Sequence, residues 1–259
     1  MSEPEYEYHG MLARTWDLFR GDTSKWDDRN FFLEIIRETG QPVLDVGCGT
    51  GRLLLDYLSQ DVDIDGVDIS PEMVYLCQQK AQALRLKPIL YESSMETMSL
   101  PRHYRTIIVP SSSYQLVLDA LQAYEAILNL FAHLLPGGTV VMPFMLLWKR
   151  GDPLENPWHV TGEEIRPDDG ATIRRWSKSR YDPETQLEHT EDRYEVIRDG
   201  VIIANEYHVR SPATREYTQQ QALDLYKRAG FVDMCIYKGF TRLPASADDE
   251  IFSITGKRP

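Results

Sequence analysis

The stretch Pro42-Val43-Leu44-Asp45-Val46-Gly47-Cys48-Gly49-Thr50-Gly51 is an apolar strand that carries one acid and runs into three closely spaced glycines. Glycine has no Cβ, so the chain can turn sharply at the strand's end and lie close against a ligand, and the helix that follows starts at the same point. The next apolar segment ends in Gly66-Val67-Asp68, which puts a carboxylate where a ribose diol would sit. Loop and acid together imply an adenosine-containing cofactor.

The surrounding sequence alternates helical and strand patterns from residue 28 to residue 143, the signature of parallel strands joined by crossover helices. Phe31, Phe32, Ile35 and Ile36 repeat at helical spacing before Gly40 and Pro42 stop the helix. Strand one is Val43 to Val46, and Leu53, Leu54, Tyr57 and Leu58 mark the helix after the loop. Strand two covers about Ile64 to Val67. Ser70 and Pro71 then supply an N-cap and a first helical residue for a helix through about Leu84. Strands three and four are read at Lys87 to Tyr91 and Thr106 to Val109. A helix from Asp119 to Leu135 is broken by Pro136-Gly137-Gly138 ahead of the strand Thr139 to Met142.

The pattern changes at residue 144. Up to about Ala213 the helical period is lost, and three polar, alternating segments take its place: Thr172 to Tyr181, Gln186 to Arg198 and Val201 to Arg210. Asp199-Gly200 between two such runs is a strong hairpin signal, so this is an antiparallel insertion. The α/β pattern then resumes. Thr218 and Gln221 form a capping box for a helix reaching Ala229, followed by strands at Phe231 to Tyr237 and Glu250 to Thr255.

With 259 residues and 42% hydrophobic content the chain can build one α/β domain with an elaboration. A net charge of −12 disfavours a polyanionic partner, so nucleic acid is an unlikely substrate despite the basic run Arg174 to Arg180, which reads as a solvated strand face. The acidic start Met1 to Glu7 has no apolar leader pattern, and the longest apolar run is too short to cross a bilayer. Cys48, Cys77 and Cys235 lack metal-ligand or redox spacing, which fits a reducing compartment and no metal site. These features are those expected of a cytoplasmic protein without membrane association.

The loop and Asp68 resemble motif I and the acid after strand two in class I S-adenosylmethionine-dependent methyltransferases. A dinucleotide loop, Gly-x-Gly-x-x-Gly, fits less well: the third glycine comes one position early at Gly51, and Arg52 stands where that pattern wants glycine. Asp45 would repel a pyrophosphate but suits the ammonium and sulfonium charges of S-adenosylmethionine. The resemblance implies a Rossmann-like α/β fold with strand order 3-2-1-4-5-7-6 and an inserted antiparallel β cap. It divides the chain into residues 1–29, a segment covering cofactor and substrate; 30–143 and 214–259, the cofactor-binding core; and 144–213, the substrate cap. With the insertion included, the chain looks most like small-molecule N- and O-methyltransferases such as the sugar-amine and glycine N-methyltransferase groups. Tyr8, Ala13, Trp16 and Asp17 are similar to the leading segment of that group.

By the same resemblance, Asp45, Gly47, Cys48, Gly49 and Gly51 line the methionine end and Asp68 holds the ribose. Ile69 and Met73 pack on adenine, with Met73 equally readable as ordinary helix burial. Ser94, Met95 and Glu96 stand at the adenine edge, where the family usually has an acid at the position of Ser94. Pro110 and Ser111 pass beneath the transferring methyl group. Ser113, Tyr114 and Gln115 should face the acceptor, with Trp26, Trp148, Trp176, Tyr8 and Trp16 as candidate walls that are as readable as simple packing. No catalytic base is evident. His133, His159, His189 and His208 are the histidines considered for that role. The function implied is in-line methyl transfer to nitrogen or oxygen of a small molecule, yielding S-adenosylhomocysteine. The alternatives are a non-catalytic binding protein for the same cofactor, an RNA methyltransferase and an NAD-dependent oxidoreductase.

Overall fold

The computed structural model describes residues 6–259; the acidic stretch Met1 to Glu5, read above for the absence of a leader, lies outside them. The chain divides into two compact units. One is the segment ending at Thr23 together with Leu147–Arg215, and the other is Ser24–Leu146 together with Glu216–Pro259. The leading segment contributes two short helices, α1 (Gly10–Arg14) and α2 (Trp16–Arg20), to the first unit.

The larger unit opens with α3 (Asp27–Thr39), β1 (Val43–Val46), α4 (Arg52–Leu58), β2 (Ile64–Asp68), α5 (Pro71–Leu84) and β3 (Ile89–Glu92). It continues with β4 (Tyr104–Ile108), α6 (Ala120–His133) and β5 (Leu134–Met145). The chain then leaves for the insertion, β6 (Glu155–Ile165), β7 (Thr172–Asp182), β8 (Leu187–Arg198) and β9 (Val201–Arg215). It returns as α7 (Gln219–Ala229), β10 (Val232–Lys238) and β11 (Ile251–Lys257).

The core sheet has seven strands in the order β3-β2-β1-β4-β5-β11-β10. The expected 3-2-1-4-5-7-6 differs in its labels, because four inserted strands shift the numbering of the last two. Strands β1 to β5 pair in parallel, and β11 enters antiparallel between β5 and β10. Alternate residues of β1 feed opposite faces, as strand geometry requires. Leu44 and Val46 join a core built with α6 and α7 (Ile127, Leu130, Tyr226), whereas Val43 joins Phe32, Leu54 and Tyr57 of α3 and α4 on the other face. Every residue of β1 and β2 is buried, their three aspartates included.

Helix starts follow the sequence signals. Ser70 accepts the Met73 N–H, Asp119 accepts those of Leu121 and Gln122, and Thr218 with Gln221 closes a reciprocal capping box. One expected boundary is displaced. Helix α6 ends at His133 and β5 starts directly at Leu134, so Pro136-Gly137-Gly138 lies inside the strand. The reason is the chain's end: Gly137 N–H donates to Arg258 O, Arg258 N–H to Gly138 O, and the Arg105 guanidinium to Pro136 O. These bonds make a ladder out of what reads locally as a turn.

The insertion is a four-stranded antiparallel sheet, β6-β7-β8-β9, with one strand more than the three expected. The unread strand is β6, an edge strand almost wholly exposed, whose Pro157 and Gly162 and lack of a buried face hide its period. Met11, Leu12, Ile173, Tyr194 and Val196 form this unit's own apolar cluster, with Tyr8, Trp16 and Phe19 packed against it. No helix among the described residues is long and apolar enough to cross a membrane.

The capping box gives the simplest test of this architecture. Thr218→Ala leaves one N–H of α7 without its partner and should lower unfolding stability by about 1 kcal/mol in urea melts, with the cooperativity unchanged.

Candidate functional site

The loop after β1 turns through three residues with positive φ, Gly47 (+71°), Gly49 (+54°) and Gly51 (+85°). Gly47 and Cys48 both donate their N–H groups to Val67 O, at 2.8 and 3.1 Å, which folds the loop over the end of β2. At Gly47 the need for glycine is also spatial: a Cβ would sit 2.7 Å from Ser113 Oγ and 2.9 Å from Ser113 Cβ. The loop and the turn after β4 are therefore in direct contact. Cys48 is buried, and burial pushes its thiol well up, leaving a neutral apolar filler rather than a nucleophile.

Asp68, at the end of β2, holds the loop from the other side. Its Oδ2 accepts the Gly49 N–H at 2.7 Å and its Oδ1 accepts the Ser70 N–H at 2.9 Å. An ionised carboxylate has about four lone-pair sites, so both oxygens keep a site for a further donor, matching a vicinal diol. Burial raises the Asp68 pKa, opposed by the two backbone N–H groups.

Asp45 lies at the root of the loop, buried, and its Oδ1 has no hydrogen-bond partner. Burial lifts its pKa to about 7; the charge of Arg52 opposes the rise and that of Asp68 adds to it. Arg52, the first residue of α4, is itself engaged, since its guanidinium donates to both oxygens of Asp28 at 3.0 and 2.5 Å and lies 5.0 Å from the Trp26 ring centroid. An orphaned buried carboxylate oxygen beside a glycine turn with close backbone approach fits a cationic ligand, as the ammonium and sulfonium of S-adenosylmethionine require. It does not fit a pyrophosphate.

The adenine-side candidates are spread along the adjoining strand ends. Ile69 is exposed, whereas the Met73 side chain is packed away at 1% exposure. The Ser94 hydroxyl pairs with Thr97 at 2.9 Å, the Met95 carbonyl accepts from Asn129, and Glu96 is half-buried. Ser93 N–H donates to Asp68 O and ties this turn to the carboxylate's own backbone.

After β4, Pro110 is buried and Ser111 adopts φ +58°, an uncommon conformation for a non-glycine residue. Ser113 donates its hydroxyl to Pro110 O at 2.9 Å, leaving the oxygen's lone pairs beside Gly47. Tyr114 and Gln115 are turned inward. Tyr114 donates to Ala123 O at 2.6 Å and packs between Phe144 and Tyr217, and the Gln115 amide exchanges two hydrogen bonds with the Met145 backbone.

Of the other aromatic candidates, Trp26 belongs to the core unit, where it is exposed and lies beneath Arg52, and the rest belong to the insertion unit. There Tyr8 packs edge-on to Trp16, Trp148 stacks on Tyr181, and Trp176 donates to Glu195 beneath Arg193. His133 is a structural residue, accepting the Leu100 N–H at Nε2 and bonding Asn129 O through Nδ1. Sequence reading missed the anchoring role of Asp28, whose signal is an acid in the first turn of α3 that is nonetheless buried.

Two outcomes test this geometry. Gly47→Ala should abolish binding of an adenosyl ligand, because the new methyl group meets Ser113 and the φ is unfavourable; circular dichroism checks that the fold survives. Asp45 binds its proton more tightly folded than unfolded. Without ligand its contribution therefore makes stability fall as pH rises from about 4 to about 7, the interval between its ordinary and its raised pKa. Asp45→Asn should lack that slope in denaturation curves measured across the interval.

Residues 43–138 match the family model described as "Methyltransferase domain". The dTDP-3-amino-3,6-dideoxy-alpha-D-glucopyranose N,N-dimethyltransferase of Streptomyces fradiae is 24% identical over 144 residues, 54% of this chain and 55% of that one. The match thus spans about half the length of that relative. An S-adenosylmethionine-dependent methyltransferase from Clostridium acetobutylicum superposes with a TM-score of 0.75 at 19% identity, over 95% of this chain and 96% of its own. The S-adenosylmethionine-bound amino pentose methyltransferase of Micromonospora echinaspora does so with a TM-score of 0.70 at 19% identity, over 99% of this chain and 100% of its own. Residues 43–138 are thus similar to a methyltransferase domain, and the chain has the class I S-adenosylmethionine-dependent methyltransferase fold.

Proposed function

We propose that this protein transfers the methyl group of S-adenosylmethionine to the amino nitrogen of a small molecule, with an amino sugar as the acceptor class. The observation that carries the reading is the pairing of Asp68, with two lone-pair sites still open, and Asp45, whose Oδ1 has no partner, about the glycine loop. Asp68 would accept the ribose hydroxyls, and Asp45 would offset the positive charge of the methionine end. The amino-sugar class is taken from the Streptomyces and Micromonospora relatives. The cofactor supplies an activated methyl group on a good leaving group, and what remains for the chain is alignment and electrostatics.

An amine fits this chain better than a hydroxyl. A neutral amine carries its own lone pair, whereas a hydroxyl needs a base, and His133 is spent on structural bonds. Ser113, next to Gly47, offers an acceptor oxygen that can orient an N–H of the incoming amine without removing a proton before attack. We assign cofactor handling to the core unit and acceptor recognition to the insertion. The net charge of −12 supports a small-molecule rather than a nucleic-acid substrate, and three cysteines outside any disulfide support a cytoplasmic setting.

Isothermal titration with S-adenosylmethionine, S-adenosylhomocysteine and NAD tests the reading. The sulfur cofactors should bind and NAD should not. Asp68→Ala should weaken binding by about a hundredfold, the loss of two charge-assisted hydrogen bonds at about 1.5 kcal/mol each. S-adenosylhomocysteine should then accumulate with nucleotide-linked amino sugars. Binding of NAD alone would overturn the assignment, and cofactor binding without turnover on any amine would leave a binding protein.

A further inference from the structure

We propose that His9, Glu206 and His208 form a transition-metal site in the insertion unit, of the kind that takes zinc. One nitrogen from each imidazole and one carboxylate oxygen lie within 4.8 Å of one another. His9 is the residue that caps α1, and Glu206 and His208 are two apart on β9, so the strand's period of two places them on one side of the sheet. His208 Nε2 is 2.8 Å from Glu206 Oε1, and the two imidazole centroids are 4.6 Å apart with planes inclined at 41°.

The surroundings hold these groups in position. Met11 N–H donates to Glu206 Oε1 at 2.8 Å, and Arg14 approaches the outer oxygen, Oε2, at 3.8 Å. The Tyr194 ring meets His208 edge-on at 5.5 Å. Gly10 has φ +55°, and a Cβ there would lie 2.0 Å from Glu206 Oε1, so the carboxylate reaches its place only because residue 10 has no side chain. A carboxylate drawn this close to the backbone and fixed by an N–H, with two imidazoles beside it, is an oriented donor set.

The chemistry selects the class of ion. Two imidazoles and one carboxylate suit zinc and its neighbours, whereas calcium and magnesium take all-oxygen shells. Bonds of about 2.0–2.2 Å set neighbouring donors about 3.3 Å apart, which the Glu206–His208 pair reaches by opening about half an ångström. His208 is 4% exposed, and burial holds its pKa below the ordinary value against the opposing pull of Glu206. On binding, the ion replaces the Nε2 proton now directed at Glu206, that proton shifts to Nδ1, and the ring stays neutral. The bound ion would fasten the start of α1 to β9. Three ligands leave a fourth position for water.

Tag-free, chelator-treated full-length protein titrated with cobalt(II) and followed by visible absorption tests the site, without recourse to methyl transfer. One equivalent should bind with a nitrogen–oxygen spectrum lacking thiolate charge transfer, and zinc should displace it and raise the melting temperature. His9→Gln, at a half-buried position, should weaken binding at least about tenfold while leaving the metal-free melt unchanged. Gly10→Ala should also weaken it, although it removes no ligand. Absence of stoichiometric binding, a thiolate spectrum from Cys48, Cys77 or Cys235, or unchanged affinity in His9→Gln would each overturn the proposal.

Discussion

The core depends on one carboxylate. Asp68 sits where β2 ends, and its two oxygens accept backbone N–H groups from opposite directions, one from the glycine loop after β1 and one from the start of α5. The loop after β1, the end of β2 and the start of α5 thereby share a single anchor. A loop with three positive-φ glycines has high conformational entropy in the unfolded chain, and the bond to Gly49 is part of what holds it in one shape. Burying a carboxylate costs free energy unless hydrogen bonds compensate. Here the compensation comes from groups whose placement the site requires in any case.

Asp45 is the counterpart that is only partly compensated, by the Leu54 N–H and the nearby charge of Arg52. Its neighbour Arg52 is committed to Asp28, a pair anchored between α3 and α4 and covered by Trp26. The positive charge that could have satisfied Asp45 is thus held at one remove, and the carboxyl keeps a raised pKa and an orphaned oxygen. A protein interior tolerates such a group where a ligand completes it.

The glycine loop, β1, β2 and the capped starts of α5 and α7 were legible because each rests on local chemistry: apolar runs, a turn that only glycine permits, side chains that reach a helix N-terminus. The features that escaped reading depend on distant partners. Strand β6 exposes nearly every residue and so shows no period, and its existence follows from pairing with β7. The start of β5 reads as a helix-breaking turn until Arg258 closes on it. Tyr114 and Gln115 were expected to face the acceptor, whereas both are buried and turned inward. Their inward orientation follows from Ala123, Phe144 and Met145, which that stretch of sequence does not reveal. The two-residue spacing of Glu206 and His208 is local, whereas His9 reaches them only through folding.

Gln115 carries a wider implication. Its amide bonds the Met145 backbone where β4 has already ended and β5 is about to leave the core. A side chain there imitates one more step of β-ladder and finishes the strand from within the core itself. On the far side Ile251 of β11 pairs with the same residue. The departure point is therefore sealed by core residues alone, whatever follows Met145 in the chain. A graft that exchanged the inserted sheet for another would keep this end of the junction, because Gln115, Met145 and Ile251 all belong to the core unit.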